Sequence, residues 1–284
     1  MTEKFEDQEG NSEVLFTRHS PAKYATYKDI IRGDNPHAPV DRDGQLPDDL
    51  TEKGIQLAKE SAEALLATLR PDSDELFFAS SDEMRALETA NIYRSVAHEK
   101  GFIIIKPENV RGSTAEEIGE GEIRTVRSLS LGIKDTLLGS IFNPDAHLGE
   151  INWDKVEPEV KEKWAQARAI INEDDQGSWG GNFAVHSKAI KEIFPEIKDS
   201  EQTYETQFKN LLRLSEFALK KAEESGNQKN IKILAFGHEN YWTHALDVYF
   251  HDHKLNNCET IRIKPSDENL VLQRRGETQA VNPS

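Results

Sequence analysis

The stretch Val14-Leu15-Phe16-Thr17-Arg18-His19 decides the reading of this chain. Four apolar or β-branched residues in succession suit a short buried strand, and the run stops abruptly at a charged pair. A strand that delivers polar residues at its carboxyl end is the arrangement expected at the active edge of an open α/β sheet. The pattern returns late in the chain, where Ile231 to Phe236 breaks into Gly237-His238-Glu239-Asn240.

The intervening sequence alternates. A helix is expected from about Thr51 to Leu69, with Ile55, Ala58, Ala62, Leu65, Leu66 and Leu69 on one face. Leu76 to Ala79 reads as a second strand. Ser80 and Glu83 then form a capping-box pattern that opens a helix to about His98, with Arg85 in its second turn. Phe102 to Ile105 is a third strand, Tyr204 to Glu224 a long amphipathic helix, and Tyr241 to Phe250 begins another. Thr260 to Ile263 and Leu270 to Gln273, separated by Pro265-Ser266-Asp267, look like a terminal hairpin. This alternation predicts an α/β fold: a three-layer αβα sandwich with a mainly parallel, doubly wound sheet.

Residues 1–12 and 276–284 read as flexible tails around a single domain at 13–275. Residues 20–50 read as a long loop, and about 120–200, with Trp153, Trp164 and Trp179, as an insertion or lid. The tryptophans are expected to fill a small core there.

A formal charge of -16 opposes nucleic acid and anionic membranes as partners. Cys258 is the only cysteine, which rules out an intrachain disulfide and a multi-thiolate metal site. The first residues lack the apolar core of a signal peptide, and no run is long enough to span a bilayer, so the expectation is cytoplasmic.

Two strands ending in histidine, an arginine near a helix start and an acidic loop can surround a phosphate. Guanidinium forks match phosphoryl oxygens, which suggests Arg18 and Arg85. A neutral imidazole can attack phosphorus, a role for His19, and His238 can stabilise the transferring group. The leaving oxygen needs an acid, and Glu116, Glu117, Glu120 and Glu122 all offer one.

Leu15-Phe16-Thr17-Arg18-His19-Ser20 resembles the Arg-His-Gly signature of the histidine phosphatase superfamily, and Leu50-Thr51-Glu52-Lys53-Gly54 its Leu-Thr-x-x-Gly helix start. Ser80-Ser81-Asp82 with Arg85-Ala86 and Thr89-Ala90 is similar to its Ser-Ser-x-x-x-Arg-Ala-x-x-Thr-Ala segment, and Phe236-Gly237-His238 to its late strand ending in histidine. The four matches stand in the family's order. The resemblance implies a phosphoglycerate mutase-like fold, with His19 phosphorylated, Arg18, Arg85 and His238 binding phosphate, and Glu117 as the acid. It implies a metal-independent phosphomonoester hydrolase, without organic cofactor, acting on a phosphorylated small molecule in preference to a phosphoprotein. The alternatives are a phosphoglycerate mutase-like phosphotransferase and an inactive phosphate-binding module. Ser20 stands where the family has glycine, close to the phosphate, and no asparagine follows at the mutase spacing, which favours hydrolysis.

Other histidines read more plainly. His238-Glu239 lacks the second histidine of a zinc-protease helix, since Trp242 stands there. His251-Asp252-His253 is read as structural, and His98 and His186 as surface or core packing residues.

Overall fold

Val14, Leu15 and Phe16 are all buried, and their side chains leave the strand on alternate faces into two different cores. A strand buried on both sides needs a helical layer on each, and the computed structural model has this arrangement. The structure describes residues 12–22, 50–81, 83–106, 122–126, 129, 156–173, 186–195, 200–226, 229–252, 254–266 and 269–283.

The elements are β1 (Glu13–Arg18), α1 (Glu52–Leu66), β2 (Asp74–Ser80), α2 (Met84–Glu99), β3 (Ile103–Ile104), β4 (Ile123–Thr125), α3 (Pro158–Glu173), α4 (Ser187–Ile193), α5 (Ser200–Glu224) and β5 (Asn230–Gly237). A short 3-10 turn (Glu239–Tyr241), α6 (Thr243–Phe250), β6 (Thr260–Pro265), β7 (Leu270–Arg274) and β8 (Glu277–Val281) complete them. One mixed sheet has the order β3-β2-β5-β1-β6-β7-β8, with β4 also pairing β2. β5 is hydrogen-bonded in parallel between β1 and β2, and the three strands after β1 are antiparallel.

One face of the sheet carries Leu15, Leu76, Phe78, Leu234 and Phe236 against Ala58, Ala62 and Leu66 of α1 and Leu87, Ala90 and Tyr93 of α2. The other carries Val14, Phe16, Ile231 and Ile233 against Phe208, Leu211 and Leu212 of α5 and Trp242 and Leu246 around α6. Each large side chain fully buried here is worth roughly 1.5–3 kcal/mol of transfer free energy. This is the three-layer α/β arrangement expected from the alternation.

Several local expectations are corrected. The Ser80–Glu83 capping box does not form: Ser80 ends β2, and α2 begins only at Met84, with Glu83 at the N-cap and no side-chain cap. Arg85 is therefore the second residue of α2, in its first turn. The segment read as a frayed tail from 276 contains β8, which pairs antiparallel with β7. Its tight turn uses Arg275 and Gly276, both at positive φ, which is the backbone a two-residue hairpin needs. β4 lies in the region read as insertion. Of that region only β4, its flanks, Leu129, α3 and α4 lie within the described residues; Trp164 of α3 is buried, and Trp153 and Trp179 lie outside them. Residues 1–11 and 23–49 are outside as well. No described helix is long and apolar enough to cross a membrane.

Candidate active site

Sheet register brings the site together. Thr17 of β1 and Ser80 of β2 both lie opposite Phe236 of β5, so the three central strands end level with one another. The ladder runs one residue further on each side: His19 N–H donates to Gly237 O at 3.0 Å, and Ser81 N–H to Phe236 O at 2.9 Å. His19, Ser81 and His238 are thus neighbours at the carboxyl edge. The first turn of α2 adds Arg85.

The Arg85 guanidinium links the two rings. Its Nε donates to His19 Nε2 at 3.3 Å, and its Nη2 reaches His238 Nδ1 at 3.5 Å. The rings meet edge to face with centroids 5.1 Å apart. Since a guanidinium only donates, the contacted nitrogens are lone pairs. His19 Nδ1 accordingly carries the proton and donates it to Ser20 O at 2.8 Å. His238 Nε2 donates to Ser81 Oγ at 3.1 Å. Both rings are neutral with defined tautomers, and His19 presents Nε2 as the nucleophilic atom.

Electrostatics enforce that state. Burial, then His238, Arg85 and Arg18, hold His19 well below the ordinary imidazole value, while the bond to Ser20 acts in the opposite sense. Burial, then Arg85 and Arg18, push His238 down to about 3. Arg18 immediately precedes His19 and pairs with Glu239, the residue after His238, which holds it at the same edge. The four residues expected at a phosphate site, Arg18, His19, Arg85 and His238, are therefore together.

Two glutamates accompany the arginines. Glu239 pairs with Arg18 at 2.8 Å and is buried; Glu83 pairs with Arg85 at 2.9 Å. Glu88, one turn on in α2, accepts from Leu50 N at 2.8 Å. Arg18 also donates through Nη1 to Leu255 O, and its Nε is buried without a hydrogen-bond partner. A buried, charged donor left over beside two neutral rings suits an anion.

The backbone after His19 is clamped. Ser20 N donates to Thr89 Oγ1 at 3.0 Å, and Ser20 Oγ to Gly54 O at 2.6 Å, so the hydroxyl is spent on the start of α1. Thr51 caps α1 through Gly54 N at 2.9 Å and donates its own N–H to Pro21 O. A Cβ on Gly54 would lie 2.2 Å from Pro21 O, which is why glycine stands there. On the other side Asn257 Nδ2 donates to His19 O at 2.7 Å, and Cys258 N to Arg18 O at 3.0 Å. Buried Arg274 holds that loop through Glu259 and Asp252, each at 2.7 Å.

The remaining candidates separate. Glu116, Glu117 and Glu120 lie outside the described residues. Glu122 is engaged elsewhere: it directly precedes β4, and its carboxylate is bound by Arg94 at 2.8 Å and His98 at 2.7 Å. His98 lies at the surface, one of the two places expected for it, and contacts Glu122 from there. Asp252 is engaged by Arg274 and Arg275, and His253 is outside the described residues. Sequence reading passed over Glu83, Glu239, Ser81 and Asn257. Only Ser81 and Glu239 gave a signal, by standing beside residues already singled out.

No protein-family model and no curated protein sequence matches the chain. Among solved structures it is similar to a phosphoglycerate mutase from Bacillus anthracis, at 14% identity over 98% of this chain and 95% of that one, with a TM-score of 0.44. It is also similar to Bacillus stearothermophilus YhfR, at 15% identity over 94% and 98% with a TM-score of 0.42. A third is a variant phosphoserine phosphatase from Entamoeba histolytica in complex with phosphoserine, at 12% identity over 95% of each chain with a TM-score of 0.32.

Proposed function

We propose that the protein is a phosphomonoester hydrolase that works through a phosphohistidine on His19. The observation that carries this reading is the Arg85 guanidinium in reach of both His19 Nε2 and His238 Nδ1. One cation joined to the lone pairs of two neutral imidazoles, beside a second arginine, is suited to a phosphoryl group. The group would draw Arg85 Nε away from His19 Nε2 and leave that lone pair facing phosphorus.

In the first step the His19 Nε2–P bond forms and the P–O bond to the alcohol breaks. Arg18 and Arg85 offset charge on the equatorial oxygens, and His238 supports them once the dianion has raised its proton affinity. Glu117 is proposed to protonate the leaving oxygen and then to take a proton from the water that cleaves the P–N bond. The scheme uses no metal and no organic cofactor. The formal charge of -16 supports a small phosphorylated substrate over nucleic acid or an anionic membrane, and the single cysteine fits a cytoplasmic setting.

A panel of phosphomonoesters, assayed in chelator with the intact protein and with His19→Ala, tests the proposal. Phosphate release that survives chelator and vanishes in the variant is the expected result. Release that persists in His19→Ala rejects the covalent route.

A further inference from the structure

Both arginines of the site carry a glutamate, and the two glutamates differ in burial. The Glu239 side chain is 5% exposed, whereas that of Glu83 is 42% exposed. Glu83 occupies the N-cap of α2 without capping it, and its carboxylate reaches Arg85 Nη1 at 2.9 Å.

The same guanidinium touches His19 and His238. A phosphoryl group arriving at His19 therefore meets an arginine that already holds a carboxylate. Glu83 can swing into water at little cost because it is half exposed; Glu239, buried with Arg18, cannot. A second anionic group on the substrate, next to the reacting phosphate, would also stand against these carboxylates, and like charges brought together discriminate strongly between ligands.

Building on the hydrolase reading above, we infer that Glu83 is a built-in competitor for Arg85 that sets specificity. It favours phosphomonoesters of uncharged or cationic alcohols over bisphosphates and phosphorylated carboxylic acids. The inference concerns Glu83 as a binding residue at the rim, with no part in bond making.

The test compares the full-length protein with Glu83→Gln on glycerol 3-phosphate and 3-phosphoglycerate, which differ only by a hydroxymethyl group in place of a carboxylate. Inorganic phosphate binding is measured by calorimetry alongside. The unaltered protein is expected to favour glycerol 3-phosphate in kcat/KM, and Glu83→Gln to narrow that preference roughly tenfold and tighten phosphate roughly threefold. A preference unchanged within about twofold, or an initial preference for 3-phosphoglycerate, overturns the inference. Should the unaltered protein hydrolyse neither ester, the hydrolase reading fails and phosphate binding decides alone: tightening in Glu83→Gln sustains the role of Glu83, and an unchanged dissociation constant overturns it.

Discussion

Arg85 Nε and His19 Nε2 face each other at 3.3 Å across the carboxyl edge of the sheet, the guanidinium donating into the imidazole lone pair. Lysine at position 85 keeps the charge but cannot serve His19, His238 and a phosphoryl oxygen from one planar fork. Arg85→Lys is expected to lower kcat/KM by about 10²-fold or more, read from steady-state phosphate release. A loss under about threefold would remove Arg85 from the phosphate-binding set.

Stability should fall in mild acid. The His238 ring titrates at about 3 in the folded protein against an ordinary value of 6.5, and His19 is displaced in the same direction. Between those limits the unfolded chain binds the proton and the folded chain does not. Stability is therefore complete above the unfolded value and is lost as pH falls toward the folded one. The His238 ring contributes a slope of about 1.4 kcal/mol per pH unit within that window, and His19 adds to it in the same direction. Urea unfolding at a series of pH values from neutral downward should show the decline, and His238→Asn should flatten it. A flat profile in the unaltered protein would mean that these rings are not buried neutral.

Gly54→Ala tests the clamp on the nucleophile loop. The added methyl would lie 2.2 Å from Pro21 O, a backbone atom that cannot rotate aside. Either α1 or the segment after His19 must move, which should cost about 2–4 kcal/mol in unfolding free energy. Activity should fall as well, because Ser20 Oγ loses its acceptor geometry at Gly54 O. An active variant of unchanged stability would show that the close approach of α1 to Pro21 is not needed.

The amino end of the sheet buries charges far from the site. Lys232 Nζ lies 3.1 Å from Glu13 and 4.0 Å from Asp74, and Arg262 reaches Glu13 at 3.0 Å. Lys232→Met should destabilise by about 3 kcal/mol, since it strands buried carboxylates. The measure is chemical denaturation at neutral pH, with phosphatase activity per folded molecule expected to stay within about twofold.

The fold was legible where burial and periodicity coincide. β1, β2 and β5 are short apolar runs cut off by polar residues, and the helices that cover them repeat at helical spacing. β8 was not legible because Glu277-Thr278-Gln279-Ala280-Val281 is a polar edge strand, and its turn has no asparagine or aspartate before glycine. The start of α2 was misplaced because Ser80 and Glu83 stand at capping-box spacing, while parallel pairing of Ser80 with Phe236 wins over the local motif. Within the site, Arg18, His19, Arg85 and His238 were legible as ordered motifs at strand and helix ends. Asn257 was not, since its contact with His19 is made by a loop distant in the chain and leaves no periodic trace. Glu83 was hidden for a different reason: a carboxylate beside a proposed anion site runs against charge complementarity, and only coordinates show it paired with Arg85.

The placement of β5 between β1 and β2 has a consequence for how the protein matures. During synthesis His19 and Arg85 emerge early, just after β1 and β2, two strands that have no ladder with each other and remain separated by an unfilled slot. The strand that fills the slot is made only after just over four-fifths of the chain, and it brings His238 with it. Nascent chains stalled before residue 230 should therefore be inert, and recovery of turnover during refolding should follow insertion of this middle strand and not the earlier collapse of the helices around it.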